Sequence, residues 1–106
     1  MDIRDVSQPE RKVFTAKDDN GRVVSIVELF VLPDIFYKSP AGYIHKVYTE
    51  PTRQKEGLAS KLVQIALAYA KDIGCYKVFL VCHPENFKFY ADLGFKKNQS
   101  EMVKFL

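Results

Sequence analysis

The sequence predicts one α/β domain built on a mixed β-sheet. Three observations carry this. Three β-rich segments follow one another in the first half of the chain, a long segment with helical periodicity comes next, and a short apolar strand then leads into a second helical segment. An antiparallel start therefore meets one β-α-β crossover and a closing hairpin, in the order β-β-β-α-β-α-β-β. At 106 residues the chain has room for a single domain, and its 47% hydrophobic share is ordinary for a globular protein.

Residues 1–11 are polar and lack a period, so they read as a tail. Lys12 to Ala16 reads as the first strand. Asp19-Asn20-Gly21 follows, and Asn20-Gly21 is suited to the positive φ angles of a tight hairpin turn. Val23 to Leu32 forms a long second strand, stopped by Pro33, and residues 34–40 form a loop. Gly42 to Thr49 is the third strand, ended before Pro51, which cannot sit in a central ladder. From about Gly57 to Ile73, Leu58, Leu62, Ile65, Ala66 and Tyr69 recur at helical spacing and mark the buried face, with Gly74 ending the helix. Tyr76 to Cys82 is nearly continuous in apolar residues, the pattern of a strand covered on both faces. Pro84 opens a short helix, Glu85 to Leu93, ended by Gly94. Phe95 to Lys97 and Glu101 to Leu106 read as short closing strands. Eight Phe, six Tyr and no Trp suggest a core that depends on aromatics.

A net charge of +3 suits anionic ligands but falls far short of the basic balance that argues for nucleic acid. The start of the chain has no apolar signal segment, and Leu62 to Ala70 is only about half the length that crosses a bilayer, so no membrane partner is expected. Cys75 and Cys82 read as reduced core residues of a cytoplasmic protein.

The chemistry concentrates between Val47 and Ser60, a strand, a turn and a helix start that opens with Gly57 and Ala59. A helix start presents unpaired backbone N–H groups and the positive end of the dipole, an anion site that small residues let a phosphate approach. Gly57 alone also suits a simple turn. A P-loop and a dinucleotide fingerprint are both excluded, because the glycines they require are missing.

Gln54-Lys55-Glu56-Gly57-Leu58-Ala59 resembles the pyrophosphate motif of the GNAT acetyltransferase superfamily, Gln/Arg-x-x-Gly-x-Gly/Ala, with Pro51 three residues before the glutamine. Asn86-Phe87-Lys88-Phe89-Tyr90 through Gly94-Phe95 is similar to that superfamily's Asn…Phe-Tyr-x-x-x-Gly-Phe segment. Within the superfamily, the stretch from Gly42 to Leu106 resembles the glucosamine-6-phosphate N-acetyltransferase family without gaps. The resemblance implies a GNAT-like fold that binds acetyl-CoA as acetyl donor, without a metal. The first strand and two helices that usually wall the acceptor pocket have no counterpart in Met1 to Arg11.

The resemblance also implies roles. Backbone groups of Val47 and Thr49 would align the pantetheine arm. The loop Gln54, Lys55, Glu56, Gly57, Leu58, Ala59 and Ser60 would hold the pyrophosphate through its backbone N–H groups. The Lys46 and Lys55 side chains read as solvated, with screening of the phosphates the alternative for Lys55, and the Glu56 side chain is expected to point away. Asn86 would hydrogen-bond the pantetheine, and Tyr90 would protonate the departing thiolate. His45 and His83 are candidate bases, since imidazole titrates in the useful range. Three acidic positions depart from the family: Gly42-Tyr43-Ile44-His45-Lys46 stands where it has Gly-His-Ile-Glu-Asp, and Leu80-Val81-Cys82 where it has Leu-Asp-Cys. Two readings follow. One is an N-acetyltransferase acting on a different small-molecule or protein amine. The other is an acyl-CoA-binding or interaction module without acceptor chemistry. A homodimer formed through the edge strand at Met102 to Leu106 is also expected.

Overall fold

The computed structural model describes residues 10–34, 37–98 and 102–106. Strands β1 (Glu10–Lys17), β2 (Val23–Leu32), β3 (Ala41–Thr49) and β4 (Lys77–Leu80) form one sheet in that order. β1, β2 and β3 pair antiparallel, and β3 and β4 pair parallel. Helix α1 (Leu58–Asp72) makes the crossover between the parallel pair, and α2 (Phe87–Asp92) follows β4 after a 3₁₀ turn, Pro84–Asn86. Among the described residues no helix is long and apolar enough to cross a membrane.

Glu10 and Arg11 belong to β1 rather than to a tail. β2 is ten residues long, and its far end pairs with them at Val31 and Phe30. The rest of the expected tail, residues 1–9, lies outside the described residues. The β1–β2 turn also differs from expectation. Gly21 N–H donates to Asp18 O at 3.0 Å, and among residues 18–22 only Gly21 has positive φ, +80°. Asp18 Oδ1 accepts from the N–H groups of Asn20 and Arg22, so Asn20 keeps an ordinary conformation and the loop is one residue longer than a two-residue turn.

One sheet face packs on α1. Val27, Leu29 and Val31 of β2 and Ile44 of β3 meet Leu62, Val63, Ala66 and Ala70 of the helix. Each fully buried Val or Leu stabilises the fold by about 1.5–3 kcal/mol. The helical face lies slightly off the predicted one: Ile65 is half exposed, whereas Val63 and Ala70 are buried. Among the described residues the core is aliphatic rather than aromatic, with no ring among those fully buried. Phe14, Tyr69 and Phe95 pack against its edge while only partly buried. Phe14 packs edge-on against Tyr69, while Tyr43 stacks on Phe79 with centroids 5.0 Å apart on the sheet face away from α1.

That second face stays partly open. β4 is a four-residue edge strand with alternating exposure, not a strand covered on both faces from Tyr76 to Cys82. Among the described residues the closing strands are absent as well. Phe95–Lys97 does not join the sheet, because Phe95 turns inward beside Tyr90 and packs on the core. Residues 102–106 form no strand, and Met102, Val103, Phe105 and Leu106 are exposed. Glu101, expected to begin that strand, lies outside the described residues.

Candidate active site

β3 and β4 pair only from Ala41 to Ile44 and from Lys77 to Leu80. β4 then ends while β3 continues, and the two chains part around a cleft of about 270 Å³. His45, Lys46 and Val47 line one wall, and Val81, Cys82, His83, Asn86 and Tyr90 line the other. A β-bulge shapes the first wall. Leu29 pairs with Ile44 and Glu28 with Lys46, which leaves His45 as an extra residue in β3. The bulge shifts the alternation of the strand. Ile44 is buried, His45 and Lys46 are both exposed, and Thr49 is buried again.

Behind His45 stands Glu28, the lone charged residue of β2 and 9% exposed. Its Oε1 lies 2.6 Å from His45 Nδ1, and its Oε2 accepts from Arg11 Nε at 2.6 Å. The hydrogen bonds from His45 and then Arg11 hold this carboxyl below the usual carboxylate range, outweighing its burial. An ionised carboxylate only accepts, so a neutral His45 donates Nδ1–H to it and keeps its lone pair on Nε2. The imidazole also packs on Phe30 and Tyr43, at centroid distances of 5.9 and 5.8 Å.

The second wall is built by the turn after β4. Pro84 starts the 3₁₀ turn, and Asn86 follows at the start of α2 without spending its side chain on a cap. One turn on, the half-buried Tyr90 sits between Phe89 and Phe95, both edge-on, at 4.9 and 5.7 Å. Burial, and then the neighbouring Cys82, push its phenol above the ordinary value. Tyr90 therefore keeps its proton throughout the neutral range.

Beyond the cleft, β3 runs into a 3₁₀ segment, Pro51–Glu56, and then into α1. Gly57 is the hinge between them, at φ +74°, and no side chain caps α1. The first N–H groups of the helix are thus left for solvent or an anion. Gln54 Nε2 donates to Thr49 O at 3.3 Å, tying the segment back to β3. Glu56 pairs with Arg53, whose hydrogen bonds hold its carboxyl below the ordinary range, so its charge is compensated within the loop.

The cleft gathers five of the residues singled out from the sequence: His45, Val47, His83, Asn86 and Tyr90. Gln54 to Ser60 lie outside it, at the end of β3 and the start of α1. Lys46, read as solvated, and Cys82, read as a core residue, both line the cleft. Glu28 escaped the sequence reading altogether. Its trace was a single carboxylate in a ten-residue, largely apolar strand, a residue that must find partners once buried.

The acetyltransferase (GNAT) family model matches residues 2–95. The glucosamine 6-phosphate N-acetyltransferase of Candida albicans is 34% identical over 85 residues, covering 79% of this chain and 57% of that protein. Its namesake from Arabidopsis thaliana is 34% identical over 65 residues, 61% of this chain and 44% of that protein. The chain thus spans about half the length of the curated relatives it matches. Among solved structures, the Arabidopsis thaliana glucosamine-6-phosphate N-acetyltransferase superposes with a TM-score of 0.85 at 24% identity, over 90% of this chain and 66% of that one. A Trypanosoma brucei acetyltransferase gives 0.82 at 29% identity, over 91% and 68%.

Proposed function

This chain belongs to the acetyltransferase (GNAT) family, and from that premise we propose that it transfers an acetyl group from acetyl-CoA to a primary amine at the β3–β4 cleft. One juxtaposition carries the reading. A helix start without a side-chain cap follows the same strand whose bulge places His45 across a cleft from Tyr90. The donor fits this arrangement: the Gln54–Ser60 backbone would hold its pyrophosphate, and Val47, Thr49 and Asn86 its pantetheine arm. When bound, it supplies an activated acetyl thioester. His45, or His83 on the opposite wall, takes the proton that the attacking amine loses, and Tyr90 donates a hydrogen bond to the sulfur as charge builds there.

The test is thiol release from acetyl-CoA with tyramine, spermidine, lysine, a lysine-bearing peptide and glucosamine 6-phosphate, beside calorimetry with acetyl-CoA alone. Turnover with at least one amine is expected. Binding without turnover would instead identify a non-catalytic acyl-CoA-binding module, and no binding would overturn both readings.

The acceptor of this chain differs from the one its relatives are named for. The three departing positions, His45, Lys46 and Val81, all line the cleft. A site without its hydrogen-bonding carboxylates discriminates by orders of magnitude. Glucosamine 6-phosphate should therefore give kcat/KM at least about 10² below the best amine in the panel. Comparable kcat/KM would show that other groups replace the lost carboxylates.

The exposed Met102, Val103, Phe105 and Leu106 form an apolar segment that a second copy would cover. Light scattering at tens of micromolar should give a dimer mass, and truncation after Glu101 a monomer. A monomer mass for the full chain would reject the dimer.

A further inference from the structure

We propose that Glu28 is a positioning residue, which holds His45 in the tautomer that leaves Nε2 free as a base, with Arg11 holding Glu28 in turn. The inference rests on the reading of His45 as the amine's base and names what makes it one. The three side chains form a line across three strands. Arg11 of β1 reaches Glu28 of β2, and Glu28 reaches the bulged His45 of β3, with 2.6 Å at each step. The bulge is what makes the line possible, because regular alternation would not place both His45 and Lys46 on the exposed side. The other polar groups beside the imidazole or lining its cleft are Tyr43 and Lys46 on its own strand and Cys82, His83, Asn86 and Tyr90 on the opposite wall. Among the described residues, Glu28 is the one that lies within hydrogen-bond distance of a ring nitrogen.

The proton inventory makes the tautomer a consequence of chemistry. Arg11 has donors only, and the carboxylate of Glu28 has acceptors only. Nδ1 therefore carries the hydrogen, and Nε2 is left toward the cleft. During reaction the thioester C–S bond breaks as the N–C bond forms, its electron pair leaving with the thiolate, and the proton of the attacking amine goes to Nε2. It stays there, while Glu28 faces the imidazolium charge and remains ionised.

Glu28→Gln separates this role from a merely structural one. Glutamine has one oxygen and one NH₂ on its amide. Arg11 can use only the oxygen, so the NH₂ turns to His45, Nδ1 becomes an acceptor and the hydrogen moves to Nε2. Nitrogen NMR of the free protein reads this directly. The chain has two imidazoles, which a His83→Gln variant tells apart.

The expected result is His45 protonated at Nδ1 in the wild type and at Nε2 in Glu28→Gln. With the best amine of the panel, kcat should fall about tenfold to a hundredfold, with acetyl-CoA Kd changed less than threefold. Adding Arg11→Met lets the amide turn its oxygen to His45, so the double variant should regain the Nδ1–H tautomer and much of kcat. A wild-type His45 protonated at Nε2 overturns the proposal without any variant having to fold. A tautomer switch with unchanged kcat retires His45 as base, and with it the positioning role, while leaving acetyl-CoA binding and Tyr90 untouched.

Discussion

Tyr90→Phe should lower kcat by about 10² to 10³ while leaving acetyl-CoA Kd within threefold of wild type. The magnitude follows from what a phenol can do for a departing sulfur. A thiol titrates near about 8.5 and an unperturbed phenol near about 10, so complete proton transfer would run uphill by about 2 kcal/mol. Burial in the cleft raises the phenol further. In the proposed reaction Tyr90 would therefore act mainly as a fixed hydrogen-bond donor to developing charge, a donation worth about two to three orders of magnitude. Phenylalanine keeps the edge-on packing against Phe89 and Phe95, so the melting temperature should hold. The split between kcat and Kd is the decisive measurement, because a folding defect lowers both. Near wild-type kcat would return Tyr90 to a packing role.

Gly57→Val should weaken acetyl-CoA binding at least tenfold, about 1.4 kcal/mol. The mechanism is conformational, not steric: a side-chain carbon at this position meets no atom within 4 Å. The backbone, however, sits at φ +74°, which costs a β-branched residue roughly 1–3 kcal/mol. Gly57 both ends the 3₁₀ segment and starts α1, accepting from Lys61 N–H at 3.1 Å. Relief of the strain would re-aim the N–H groups that are proposed to face the pyrophosphate. Asn tolerates this region far better than Val, so Gly57→Asn should retain most of the affinity. Calorimetry giving equal Kd for Val and wild type would remove this helix start from the site.

The sequence made the turn from Pro51 into α1 and the Tyr90 helix legible because both are local. Pro51, Gly57 and Pro84 act on their own backbone, and the surrounding motif spans a few residues. The long strand Val23 to Leu32 was legible for the same reason. What stayed hidden depends on partners distant in the chain. Glu10 and Arg11 became strand only because β2 extends far enough to pair with them. Tyr76 and Val81 looked like strand, but β4 has one neighbour, over four residues. The aromatics suggested a core, yet rings packed on an open sheet face have the same composition as rings packed inside. The link from Glu28 to His45 spans 17 positions and a bulge, which periodicity cannot reveal.

The unequal seams of the sheet divide the cleft into a stiff half and a soft half. β2 is laced on both sides along most of its length, so the His45 wall can open only when the domain does. β4 is held by a single short seam, and the chain carrying Tyr90 continues from its free end. Local opening at that seam requires far less free energy than global unfolding. Amides of β4 and α2 should exchange with solvent well before those of β2, and a ligand spanning the cleft should slow them most. In this domain, binding would act as a stitch that closes the sheet.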